Sequence, residues 1–241
     1  MAIKEIDYNH KKFRINYEIL NIKSDKNVIF LHGWGSNKDI MKSAFKTCLN
    51  DFKHIYIDLP GFGKSFNDEE LKTLDYANIV DILLNELNIS KDIIVGHSFG
   101  GKVATLLKPK LLVLLSSAGI LEKKPLKVKI KIFLFKLLKP LGIKKIKDLF
   151  VSSDAKGMSE NMYKTFKNVV NEDFSNIFKT YDKKALIFWG KEDKATSLES
   201  GRKIHEYIKN SKFYELEGDH YFFLKNANFI CQKIKEEYEN I

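Results

Sequence analysis

The stretch Ile93-Ile94-Val95-Gly96-His97-Ser98-Phe99-Gly100-Gly101 decides how the rest of the chain is read. It opens on a short apolar β-branched run, the pattern of a buried strand. Lys102-Val103-Ala104-Thr105-Leu106-Leu107 then continues with helical character. Between the two lies Gly-x-Ser-x-Gly. A strand-to-helix turn this sharp leaves no room for a Cβ at Gly96 or Gly100. It holds the Ser98 hydroxyl out above the sheet edge. The first turn of the following helix aims its free N–H groups and positive dipole end at the same place. Strand, Gly-x-Ser-x-Gly and helix form the context of a nucleophile elbow. The bare motif is common, so the flanking chain has to carry the argument.

Upstream, Ile3 to Asp7 and Lys12 to Leu20 alternate apolar and polar residues, as a half-exposed hairpin does. Asn27 to Leu31 and His54 to Ile57 read as buried strands. Lys38 to Leu49 reads as a helix capped by Ser36 or Asn37, and Asp75 to Leu87 as another. Downstream, Lys110 to Leu115, Ala185 to Trp189 and Phe213 to Leu216 are strands; Leu198 to Lys209 and Phe222 to Glu239 are helices. Eight strands alternating with helices predict an α/β fold: a mostly parallel sheet of about eight strands with helices on both faces. The interval between the sixth and seventh strands breaks the alternation. There Lys127–Leu138, Ile143–Phe150, Ser159–Asn168 and Asp173–Thr180 all look helical, punctuated by Pro125, Pro140 and Gly142. The predicted organisation is a core of residues 1–120 and 185–241 with a helical cap, residues 121–184, inserted after the sixth strand.

Composition narrows the function classes. Apolar residues make up 44% of the 241, enough for a full core. No apolar run is long enough to predict a transmembrane span. Met1 to Asp7 lacks the apolar stretch of a signal peptide, and Cys48 and Cys231 form no metal or Cys-x-x-Cys pattern. The expectation is a cytoplasmic enzyme without a structural disulfide. The net charge of +10 is concentrated: residues 122–147 hold ten lysines against the single acid Glu122. One segment is basic, and the rest is nearly neutral. That segment reads as a solvated face or as a cap that attracts anionic substrates; its lysines do not fall on one helical face, which argues against a third reading, contact with an anionic membrane. No nucleic-acid-binding motif accompanies it. Gly61-Phe62-Gly63-Lys64-Ser65 is not a phosphate loop, because that pattern needs glycine where Asp58 stands.

Serine is a poor nucleophile at neutral pH. It needs a base to take its proton and a third group to orient that base. His220 follows the last strand in Gly218-Asp219-His220, and Asp193 follows the seventh in Trp189-Gly190-Lys191-Glu192-Asp193. Both therefore belong at the carboxyl edge of the sheet, where ligands bind in such folds. Glu192 is a rival for the acid. Asp219 is the neighbour of His220 in sequence and badly placed to orient its imidazole.

Five segments in order, each at a strand end, resemble the α/β-hydrolase fold family over nearly the whole chain. They are His32-Gly33-Trp34-Gly35, Asp58-Leu59-Pro60-Gly61-Phe62-Gly63-Lys64-Ser65, Gly96-His97-Ser98-Phe99-Gly100-Gly101, Trp189-Gly190-Lys191-Glu192-Asp193 and Gly218-Asp219-His220. The resemblance implies the branch with a Ser98–Asp193–His220 triad and a helical cap. The backbone N–H of Phe99, the residue after the nucleophile, is one expected oxyanion donor. Relatives with His-Gly-Trp-Gly imply Trp34 as the second, with His32 bracing the loop rather than acting as acid or base. The expected function is a serine hydrolase cleaving a carboxylic ester or thioester of a small-molecule acyl substrate, including an anionic one, through an acyl-enzyme. No metal or organic cofactor is implied. Two alternatives stand beside it. One is a carbon–carbon bond hydrolase of the ring-cleavage type, whose members usually carry asparagine where His97 stands. The other is a non-catalytic ligand-binding protein on the same fold.

Overall fold

The apolar runs become the centre of a single sheet. The computed structural model describes residues 1–122 and 158–241. Its strands are β1 (Ala2–Tyr8), β2 (Lys11–Leu20), β3 (Asn27–Leu31), β4 (Lys53–Ile57), β5 (Ile93–His97), β6 (Leu111–Leu115), β7 (Lys184–Gly190) and β8 (Ser211–Leu216). They lie in the order β1-β2-β4-β3-β5-β6-β7-β8. β1 and β2 form the antiparallel hairpin, β2 pairs antiparallel with β4, and every pair from β4 to β8 is parallel. This is the α/β architecture that the alternation predicts.

Period-two alternation sorts the strand residues onto two faces. Ile29, Leu31, Ile94, Leu112, Leu114 and Ile187 face one apolar layer; Val28, Phe30, Val95, Val113, Leu186 and Phe188 face the other. On the first face lie α2 (Thr73–Glu86), α3 (Phe99–Leu107) and α6 (Leu198–Tyr207). On the second lie α1 (Lys38–Phe45) and α7 (Phe223–Tyr238). These strand side chains are wholly buried, and each contributes roughly 1.5–3 kcal/mol relative to exposure. The β5–β6 register pairs Gly96 with Leu114 and His97 with Leu115, so β5 ends in the middle of the sheet. Between β6 and β7 stand α4 (Glu160–Val170) and α5 (Ser175–Lys179). The helices expected over Lys127–Leu138 and Ile143–Phe150 lie outside the described residues. No helix among the described residues is long and apolar enough to cross a membrane.

One expectation is corrected. Cys48 and Cys231 are disulfide-bonded, with Cα atoms 6.3 Å apart, inside the range such bridges span. Cys48 sits in the turn after α1 rather than within it; Cys231 is inside α7. Packing of α1 on α7, with Phe45 and Phe223 stacked at 6.0 Å, brings the pair together. The cytoplasmic expectation rested partly on unpaired cysteines and loses that support.

Candidate active site

β5 carries the chain straight into the turn at Ser98, whose backbone adopts φ 50° and ψ −114°. A side chain in that region is strained, and the surroundings must hold it there. Ser98 N–H donates to the Leu115 carbonyl at 3.0 Å. The Ser98 carbonyl accepts from the N–H groups of Gly101 and Ala118, each at 3.0 Å. The glycines answer a second constraint. A Cβ on Gly96 would lie 2.4 Å from the Gly100 carbonyl oxygen, and one on Gly100 would lie 2.5 Å from that of Leu31. Backbone cannot yield there, so both positions need hydrogen in place of a side chain.

β7 and β8 deliver the ionisable partners. His220 Nδ1 lies 2.8 Å from Asp193 Oδ2. Asp193 is buried, while Glu192 beside it is exposed. Asp193 Oδ1 accepts from the N–H groups of Ala195 and Thr196, and Oδ2 also accepts from the Thr196 hydroxyl. Burial pushes its carboxyl pKa up, but the hydrogen bond and charge of His220 together with the Thr196 amide outweigh that and bring it to about 2. Asp193 is therefore an anion at any working pH. An anion accepts, so the proton between the two belongs to His220 Nδ1, and Nε2 of the neutral ring is left as the basic nitrogen. Ser98 Oγ and His220 Nε2 are not hydrogen-bonded to each other; such contacts commonly tighten only with substrate in place. Asp219 turns away, its Oδ1 accepting from the Tyr221 N–H.

The loop after β3 closes the other side. A Cβ on Gly33 would lie 3.1 Å from Ser98 Cβ, which sets Trp34 one residue from the elbow. The Trp34 ring packs edge-on against Phe62 and Phe99 and tilted against Phe166 of α4. Phe99 opens α3, so its N–H has no carbonyl one turn back. The Trp34 N–H makes no hydrogen bond among the described residues. His32 is fully buried. Leu59 N–H donates to its Nε2 at 3.0 Å, so Nδ1 carries the proton and donates to the Gly33 carbonyl at 2.7 Å. Burial holds its pKa down at about 4, and it remains a neutral brace.

The profile of the alpha/beta hydrolase fold matches residues 26–110. An uncharacterized hydrolase of Bacillus subtilis is 25% identical over 236 residues, 84% of this chain and 85% of its own. A pimeloyl-[acyl-carrier protein] methyl ester esterase of Pseudoalteromonas atlantica is 33% identical over 108 residues; that match spans 42% of this chain and 41% of the esterase. Among solved structures, an esterase from Exiguobacterium antarcticum superposes with a TM-score of 0.74 at 20% identity, covering 94% of this chain and 96% of that one. The chain has the α/β-hydrolase fold.

Several residues that shape the site carry no signal in the sequence. Thr196 gives both its amide and its hydroxyl to Asp193; only its place three residues after the acid could have marked it. Lys38 and Asp58 form a fully buried ion pair at 3.0 Å that ties the start of α1 to the loop after β4. Asp58 also accepts from the Lys38 and Lys64 amides. Lys102, on the elbow helix, is nearly buried and donates to the Val169 carbonyl at the end of α4, pairing also with Glu172. Burial pulls its pKa down, against the pull of Glu172 in the other direction. Lys38 and Lys102 find their partners 20 and 67 residues away, where no local pattern reaches.

Proposed function

We propose that this hydrolase of the esterase type cleaves a carboxylic ester or thioester of a small or medium acyl group through a serine acyl-enzyme. Ser98 Oγ attacks the acyl carbonyl as His220 Nε2 takes its proton. The protonated imidazole then gives that proton to the departing alcohol or thiol, and water repeats the sequence on the acyl-enzyme. Asp193 holds the imidazole tautomer and stabilises its charged form. The N–H groups of Trp34 and Phe99 receive the oxyanion; losing one such donor typically costs about 10²–10³ in rate. Residues 121–184 act as a cap over the core of 1–120 and 185–241. The observation that carries the reading is the 2.8 Å His220–Asp193 contact alongside a Ser98 held at positive φ. A fluorophosphonate probe should label Ser98, and Ser98→Ala should abolish both labelling and turnover of a p-nitrophenyl ester. Unchanged labelling in the variant would assign the nucleophile elsewhere.

The basic segment of residues 122–147 supports a preference for anionic acyl substrates, since a one-signed patch raises the local concentration of opposite charge. Esters with an anionic tail should show higher kcat/KM than neutral analogues of equal length. The advantage should shrink between low and high salt, as the Debye length falls from about 10 Å at 0.1 M to about 3 Å at 1 M. Equal selectivity, insensitive to salt, would mean that these lysines only solvate a surface.

A further inference from the structure

His97 precedes the nucleophile and takes no part in the proton transfers, yet its ring is 1% exposed and lies among the groups the mechanism needs. Its Nε2 is 3.0 Å from the His220 carbonyl oxygen. A carbonyl only accepts, so Nε2 carries the proton and donates. The ring is therefore the Nε2–H tautomer when neutral, and Nδ1 is bare. Nδ1 is buried and has no hydrogen-bond partner among the described residues. It faces Gly33, where a Cβ would come within 3.0 Å of it. The ring also packs on His220 at 4.6 Å, Tyr221 at 5.3 Å and Phe223 at 4.8 Å between centroids. An imidazole with one of its two polar atoms left unpartnered is a costly way to fill space. The nitrogen that is bonded reaches the backbone of the proposed base itself.

The consequence is geometric. Asp193 fixes the His220 ring from its Nδ1 end, but that bond leaves the backbone of the loop free to move with the ring. A second tie at the His220 carbonyl fixes the root of the side chain. Because His97 and Ser98 share a peptide bond, that tie references the base directly to the nucleophile, with no intervening element. We propose that His97 is a positioning residue that sets the approach of His220 to Ser98 by donating its Nε2–H to the His220 carbonyl. This rests on the serine-hydrolase reading. A misplacement of about 1 Å in a proton-transfer pair costs up to about 10² in rate.

The test compares three replacements in the full chain, read by p-nitrophenyl ester kinetics, with thermal unfolding to establish that each variant folds. A glutamine side chain carries its amide nitrogen to about where Nε2 stands; asparagine is too short, and leucine has no donor. His97→Leu and His97→Asn should lower kcat by about 10- to 100-fold with KM nearly unchanged, and His97→Gln should recover most of the loss. Equal losses in all three folded variants would reduce His97 to packing and overturn the proposal, as would wild-type kcat in His97→Leu. Ser98→Ala run alongside separates the two levels. Turnover that survives Ser98→Ala removes the serine-hydrolase reading and the proposal with it. Turnover abolished by Ser98→Ala but untouched by His97→Leu removes the proposal alone.

Discussion

Asp193 receives four hydrogen bonds, and only one of them comes from His220. The other three, from Ala195 and Thr196, fix the carboxylate whether or not the imidazole is present. This makes Asp193→Asn a clean perturbation. The amide oxygen of asparagine keeps the backbone contacts at Oδ1, while its NH₂ replaces the acceptor that faces His220 Nδ1; the Thr196 hydroxyl, which also faced that acceptor, keeps the Ser116 carbonyl as its partner. The imidazole must then present a bare Nδ1 and carry its proton on Nε2, where a base is needed. We expect Asp193→Asn to lower kcat by on the order of 10⁴, by analogy with the protease triad, with circular dichroism unchanged. Glu192→Gln, at an exposed neighbour, should leave kcat near wild type. The reverse pattern would reassign the acid. That Asp193 and His220 lie at the carboxyl edge of the sheet was legible in sequence, because each follows a strand by a few residues. Their hydrogen-bonding support was not: Thr196 lies three residues from Asp193 but belongs to no motif, and the His97–His220 contact depends on where loops from distant strands meet.

At the scale of elements, strands read best. β3, β5 and β6 are built on apolar runs whose bounds agree with the structure to within a residue, because a strand buried on both faces is apolar along most of its length. Helix ends read less well. The expected Lys38–Leu49 helix stops at Phe45, although Leu49 continues the apolar spacing. Leu49 instead takes φ 55°, and its carbonyl faces Nε2 of the buried His54 at 3.0 Å. A tertiary contact overrides the periodicity there. The start of α1 holds a further surprise in Lys38, a cation at the positive end of a helix dipole and fully buried. The Asp58 carboxylate resolves it by pairing with the ammonium and accepting the helix's own Lys38 N–H. Lys102 does the opposite favourable thing: it places its charge at the carbonyl end of α4 through Val169. Neither partner, nor the Cys48–Cys231 bond across 183 residues, lies within reach of a local pattern.

At the scale of the whole molecule, three histidines are folded into the interior as neutral groups. Burial pulls the His97 pKa from 6.5 to about 3, and the neighbouring His220 pulls the same way. Burial pulls His32 from 6.5 to about 4 and lowers His54 as well. Unfolding exposes all three to water, where they bind protons near pH 6.5. Below that pH the unfolded chain holds more protons than the folded one, so stability falls as pH falls. The loss continues down to about 4 for His32 and about 3 for His97. Asp193, lowered from 3.8 to about 2, acts in the same direction below pH 3.8, because its unfolded form protonates first. Each tenfold difference in proton affinity between the folded and unfolded chain is worth about 1.4 kcal/mol. His32 and His97 together should therefore remove on the order of 5 kcal/mol between pH 7 and pH 4.5. That is a large share of the roughly 5–15 kcal/mol that holds a typical domain together. Urea unfolding at pH 7, 5.5 and 4.5 should show the midpoint falling steeply across the series at constant slope. A midpoint that stays level to pH 4.5 would mean that these histidines protonate inside the fold. The neutral braces on the Trp34 loop and behind His220 would then have to be redrawn as charged ones.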